Sequence, residues 1–186
     1  MRKGVTSAFV AGLGLLMLAG CGDGAKEAAA SGDEAKTAAV DGWDASDACA
    51  LLDKAAVGEA LKDAVTETSL GLVNKAEGAN AATSECTYRL ASGGTATLMA
   101  RKSPIADNTP EAIALAKSTT EQTMAAFSDK KIEDVPGLGK GAFFVPGINQ
   151  LNVFLDDSRF VILTIGSAPN DSAKATAVAL VGKIKR

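Results

Sequence analysis

Apolar positions fall into three regimes along the 186-residue chain. Residues 5 to 18 are mainly apolar, residues 22 to 42 hold no large apolar side chain except Val40, and from Trp43 onward short apolar patterns alternate with turn residues. In the third regime Ser46 or Asp47 stands as a cap before ACALL, and Asp53 before KAAVGEAL, which predicts a broken N-terminal helix. VTETSLGLVN, ECTYRLAS and TATLMARKS read as strands, the last two joined as a hairpin across Gly93-Gly94. Thr109-Pro110-Glu111 combines a cap hydroxyl, a proline at the first helical position and an early acid, and Ile113, Ala116, Thr120, Met124 and Phe127 follow at helical spacing. KKIEDV, GAFFVP, QLNVFLD and RFVILTIG are then strand-like, separated by Pro136-Gly137, Pro146-Gly147 and Asp157-Ser158.

The last three of these strands suit an antiparallel meander, and RFVILTIG, apolar on both faces, belongs in the middle of a sheet. A final helix capped by Asp171 or Ser172 carries Ala177, Leu180, Val181 and Ile184 as one stripe. The order helix, strands, helix, strands, helix predicts an α+β fold, an antiparallel sheet with helices packed on it. Residues 43 to 186 form one domain of ordinary size around one core.

The first regime has the layout of an export signal, with Arg2 and Lys3 ahead of the apolar run and small residues after it. A membrane-crossing helix needs roughly 20 apolar residues, and this run is shorter and broken by Gly12 and Gly14. Leu18-Ala19-Gly20-Cys21 resembles the lipobox of bacterial lipoproteins. That resemblance implies cleavage before Cys21 and a diacylglyceryl group on its sulfur. Residues 1 to 20 are then a lipoprotein signal peptide, and residues 21 to 42 a lipidated cysteine and a tether too poor in apolar side chains to form a core. Each buried methylene of an acyl chain contributes about 0.8 kcal/mol, so two or three chains hold a protein durably on a membrane. In enteric bacteria an aspartate directly after the lipidated cysteine retains a lipoprotein at the inner membrane. Gly22 stands at that position here, so for a Gram-negative source the periplasmic face of the outer membrane is expected.

The leader holds two of the 19 basic residues and none of the 22 acidic ones, so removing it takes the formal charge from −3 to −5. No basic patch appears, which argues against nucleic acid or anionic lipid headgroups as partners. With Cys21 lipidated, Cys49 and Cys86 remain in a compartment outside the cytoplasm, where such thiols pair. Cys49 lies near a helix start and Cys86 in a strand that puts Cys86, Tyr88 and Leu90 on one face, so a bridge would pin helix to sheet. Their spacing excludes a CxxC redox pair, and zinc would require carboxylates as further ligands because the chain has no histidine. DACALLDKAAVGEAL, ECTYRL, DVPGLGKGAFF and LNVFLDDSRFVILTIG together resemble small exported bacterial lipoproteins of uncharacterised function, including some of actinobacteria. That resemblance implies a Cys49–Cys86 bridge and a turn at Val135 to Gly139, and implies no reaction.

Other residues invite sharper readings that their contexts oppose. GLGKGA, residues 137 to 142, fits G-x-G-x-x-A, yet a pyrophosphate site needs a strand before the glycines and a helix after them. Here Pro136 precedes and strand-like AFFVP follows. Ser128-Asp129-Lys130-Lys131 fits S-x-x-K, but the serine follows a helix and the S-D-N and K-T-G elements are missing. The absence of histidine removes Ser-His-Asp and Cys-His catalysis and His-ligated metals. Glu133-Asp134 and Asp156-Asp157 are carboxylate pairs, but strand neighbours point to opposite faces, and Asp156-Asp157 suits a hairpin turn with Ser158. No EF-hand spacing occurs. With one Trp, one Tyr and six Phe, a stacking platform for sugars or bases is also disfavoured. Trp43, where tether meets domain, is either a partner anchor or the residue that closes the edge of the core. Phe143 and Phe144 face opposite ways, so one is exposed unless both sheet faces are covered.

These features describe a lipid-anchored envelope protein that is not an enzyme and needs no cofactor or metal. It is expected to act as a non-catalytic binding or accessory module for an envelope protein or small ligand. The alternative is a carrier or sensor of a small apolar ligand or lipid. An exposed apolar patch would favour the first, and an enclosed apolar pocket between sheet and helix the second.

Overall fold

The structure, a computed structural model, describes residues 42–185, so Cys21, the leader and all but the last residue of the proposed tether lie outside the described residues. Its elements in chain order are α1 (Ala48–Leu51), α2 (Lys54–Leu61), β1 (Val65–Asn74), β2 (Ala82–Leu90), β3 (Thr95–Lys102), α3 (Pro110–Ala125), β4 (Glu133–Asp134), β5 (Gly141–Val145), β6 (Gln150–Phe154), β7 (Arg159–Thr164) and α4 (Asn170–Val181). The strands make one antiparallel sheet of order β1-β2-β3-β7-β6-β5-β4. The chain is therefore a mixed α+β protein with four helices among the described residues. RFVILTIG lies where its two apolar faces require it, as β7 between β3 and β6, with Val161 and Leu163 fully buried.

The sheet has two unlike faces. On one, Cys86, Leu98, Leu163, Leu151 and Phe144 form a continuous cross-strand row. Leu51 and Leu52, Val57 of α2, and Ala173, Ala177, Leu180 and Val181 of α4 pack in the same core. On the other face a smaller cluster of Phe143, Val145 and Phe154 is covered by Ile113, Ala116 and Met124 of α3. Both faces of β5 and β6 are covered in consequence, which is why successive residues Phe143 and Phe144 are both buried. Trp43 is also buried, its ring 5.6 Å from the Arg159 guanidinium carbon, and it closes one edge of the main core.

Caps and turns follow local chemistry, with three departures from expectation. Thr109 caps α3 as the sequence implies, its hydroxyl accepting from Ala112 N, with Pro110 next. The last helix begins one residue before Asp171: Pro169 occupies the cap position, and its carbonyl accepts from Ser172 N and Ala173 N, so neither Asp171 nor Ser172 is the cap. KKIEDV contributes only Glu133–Asp134 as strand, paired with Phe143 and Phe144. Phe127 leaves the apolar stripe of α3 because the helix ends at Ala125, and its side chain is 84% exposed.

The turn at Val135 to Gly139 forms by positive φ at Gly137 and Gly139. These two glycines differ in surroundings. A Cβ on Gly139 would lie 2.3 Å from the Phe154 carbonyl oxygen, whereas one on Gly137 meets nothing within 4 Å. Gly137→Ala is therefore expected to cost about 1 kcal/mol, from backbone strain alone. Gly139→Ala adds a clash with immovable backbone and should cost about 3 kcal/mol or more. Urea unfolding of the two variants checks the ranking, which equal midpoints would contradict.

Candidate functional site

The best-defined constellation among the described residues lies where the N-terminal segment meets β2. Alternate residues of a strand share a face, and Ser84, Cys86 and Tyr88 all point toward residues 45–52. Ser84, fully buried, donates from its hydroxyl to Ala45 O at 2.7 Å and accepts from Ala48 N at 2.8 Å. Cys86 is disulfide-bonded to Cys49, with Cα atoms 4.9 Å apart and 37 residues of sequence separation. Tyr88 donates from its phenol to Leu52 O at 2.8 Å. Asp47 caps the short α1 by accepting from Ala50 N. Burial pushes the Tyr88 phenol well above its ordinary range, with Asp53 and Asp47 acting in the same direction. The phenol stays a neutral hydrogen-bond donor at any physiological pH.

Beside this stitched core the sheet opens to solvent. β1 pairs along its length with β2, yet all of its residues after Val65 are exposed. Leu70 pairs with Cys86 on the core side and is still 43% exposed, and Leu72 and Val73 follow it with 71% and 45% exposed. The ladder is irregular, with register shifts near both ends of the strand and a left-handed backbone at Leu72. Several cavities open at the surface, among them one of about 530 Å³ lined by Val73, Lys75, Glu77 and Thr83 at the end of β1. A second, also of about 530 Å³, lies where α3 runs out, with Met124, Ala125 and Ile132 beside Ser128, Lys130 and Lys131. Another of about 400 Å³ places the same two lysines near Gly147, Asn149 and Asn170.

The candidate chemical residues of the sequence are occupied in structural contacts. Glu133 meets Lys174 of α4 and Asp134 meets Lys117 of α3, so the two carboxylates diverge to opposite faces of the sheet. Asp156 accepts from Ser158 N and Arg159 N and pairs with the Arg159 guanidinium, making the β6–β7 turn. Burial raises the Asp156 pKa, but these hydrogen bonds outweigh it and hold the carboxyl below its ordinary value. Asp157 pairs with Lys140, and Lys140 N donates to Phe154 O, so GLGKGA is a turn clamped to β6. Ser128 Oγ accepts from Lys130 N at the exit of α3. Among the described residues no group of three Cys, Asp or Glu side chains is placed to hold a metal.

Cys49 and Cys86, singled out from the sequence, are thus brought together. Sequence reasoning missed Ser84 and the exposure of β1. The alternation Ser84-x-Cys86-x-Tyr88 signalled the first, and the Thr, Glu and Ser positions on both faces of VTETSLGLVN signalled the second. No protein-family model, curated protein or solved structure matches the chain.

Cross-linking over this separation stabilises a fold by about 4 kcal/mol in the loop-closure account. Cys49→Ala/Cys86→Ala is expected to lose about that much in urea unfolding. Tyr88→Phe leaves the buried Leu52 carbonyl without its donor and should lose about 1–3 kcal/mol. A loss below about 0.5 kcal/mol in Tyr88→Phe would show that this hydrogen bond contributes nothing net.

Proposed function

We propose that the chain is a cell-envelope lipoprotein, anchored through acyl chains on Cys21, whose domain acts as a non-catalytic binding or accessory module. The observation that carries the binding role is the unburied β1, with Leu70, Leu72 and Val73 exposed on a strand whose outer edge pairs with no other strand among the described residues. Exposed apolar side chains grouped on a free edge offer both contact area and backbone hydrogen-bonding groups to a partner. The anchor reading rests on Leu18-Ala19-Gly20-Cys21 after a short apolar run. A disulfide between Cys49 and Cys86 fits an oxidising compartment.

Carriage of a small apolar ligand or lipid is the second reading. The cavity of about 530 Å³ floored by Met124, Ala125 and Ile132 favours it, since that volume lies in the range of small-molecule sites. Lys130 and Lys131 at its rim would suit an acidic head on an apolar body. The cavity lies outside the main core, which is filled between sheet and helices by Tyr88, Leu98, Leu163 and Leu180.

The anchor is tested by Cys21→Ser expressed in a bacterial host. The substitution is expected to abolish the acyl mass on the intact protein and to shift it from the membrane to the soluble fraction. An unchanged mass and membrane fraction would overturn the lipoprotein reading.

A further inference from the structure

Among the described residues, the exposed large apolar side chains Leu70 and Leu115 lie along β1 and α3, and strand register shows where the others gather. Asn74 lies opposite Thr83, Ala82 opposite Lys102, and Lys102 opposite Arg159, so the end of β1, the start of β2, the end of β3 and the start of β7 share one end of the sheet. Leu72 and Val73 are at that end, and so is Ile105, 68% exposed in the loop that follows β3. The loop is fixed there: Ser103 N donates to Ser158 O, and Asn108 donates to Asp156 O and Arg159 O.

The described chain enters the domain at this same end. Trp43 lies by Arg159, and Ala45 is held by Ser84 at the start of β2. Phe127 and Ile148, exposed too, are at the opposite end. α3 leaves Asn108 and runs 16 residues, about 24 Å, before reaching Phe127, and Ile148 sits in the turn between Val145 and Gln150.

The geometry points to the end of the domain carrying Leu72, Val73 and Ile105 as a second membrane contact, which seats the domain on the lipid surface that holds its anchor. This inference rests on the lipoprotein reading and takes the lipid surface, in place of a protein, as what Leu72 and Val73 meet. Only 20 residues separate Cys21 from Gly42, and even a fully extended chain of that length spans at most about 70 Å. An anchor at Cys21 therefore confines this end near the bilayer, so a contact too weak to hold a free protein becomes an intramolecular one. Apolar side chains of this size enter the boundary between headgroups and acyl chains. Charge at this end is mixed: Arg101 pairs with Asp107, Arg159 with Asp156 and Lys140 with Asp157, while Asp44 and Glu77 lie near Lys75. Lys75, which lines a surface cavity with Val73, Asn74 and Glu77 and also faces Asp44, is balanced by these acids, so apolar insertion and not charge carries the contact.

Hydroxyl-radical footprinting of the full mature protein tests this. The lipidated protein, reconstituted into vesicles of phosphatidylethanolamine and phosphatidylglycerol, is compared with Cys21→Ser in buffer. Oxidation of Leu72, Val73 and Ile105 is expected to fall several-fold on the vesicles, with Phe127 and Ile148 unchanged. Leu72→Asp/Ile105→Asp, still floating with the vesicles through its anchor, should lose the protection of Val73. Equal oxidation of Leu72, Val73 and Ile105 in the two samples, or protection at Phe127 and Ile148 instead, would overturn the seating while leaving the anchor in place. Protection in native envelope membranes but not in protein-free vesicles would assign the surface to a protein and overturn it equally. A mature protein that carries no acyl mass and does not float would overturn the anchor, and the seating with it.

Discussion

Three side chains of one strand hold the N-terminal segment against the sheet, and the rest of the domain is arranged around that seam. Ser84, Cys86 and Tyr88 meet Ala45 and Ala48, Cys49 and Leu52 in turn, so a segment with only four residues of α1 is fixed at three successive points. A helix so short has little stability of its own, and its order comes from these contacts. Once fixed, it places Leu51 and Leu52 in the core, and Lys185 N donates to Leu51 O, so the end of the chain closes on the same segment. The seam is buried, which makes its three hydrogen bonds costly to leave unmade.

The two faces of the sheet differ in how firmly they are covered. The face that carries the seam is packed by α1, α2 and α4. On the opposite face α3, which has no fully buried residue, rests on Phe143, Val145 and Phe154, with Phe160 of β7 beside them, and is pinned by the pair between Lys117 and Asp134. Elements with few buried contacts open at lower free energy than a core, so α3 and the cavity at its exit form the more easily opened part of the domain. β1 goes further, exposed on both faces and along its outer edge.

Much of this was legible from residue order because alternation and capping act locally. VTETSLGLVN and KAAVGEAL coincide with β1 and α2, and the pattern of RFVILTIG foretold its central place. The disulfide was legible because two cysteines remained once Cys21 was set aside. Illegible features depended on what lies across the fold. Phe127 fits the periodicity of α3, yet the helix ends before reaching it. Asp171 has the chemistry of a cap, but the carbonyl of Pro169 already serves the first donors of α4. The exposure of β1 was legible in principle, because Thr66 and Thr68 on one face and Glu67 and Ser69 on the other leave neither face apolar enough to bury. The adjacent carboxylates Glu133 and Asp134 behaved as strand geometry requires, one meeting a lysine on each side of the sheet.

The seam also couples the start of the described chain to the body of the sheet. Whatever holds the chain before Trp43 is coupled through Ala45 and Cys49 to β2, in the body of the sheet, and not to a fraying end. The most direct measurement is native-state hydrogen exchange at the Ala48 amide, which donates to Ser84 Oγ. If the seam and the sheet are one cooperative unit, Ala48 exchanges only through global unfolding, with the same free energy and denaturant dependence as the amide of Leu98 in β3. Exchange of Ala48 through a local opening, while Leu98 stays protected, would contradict the account.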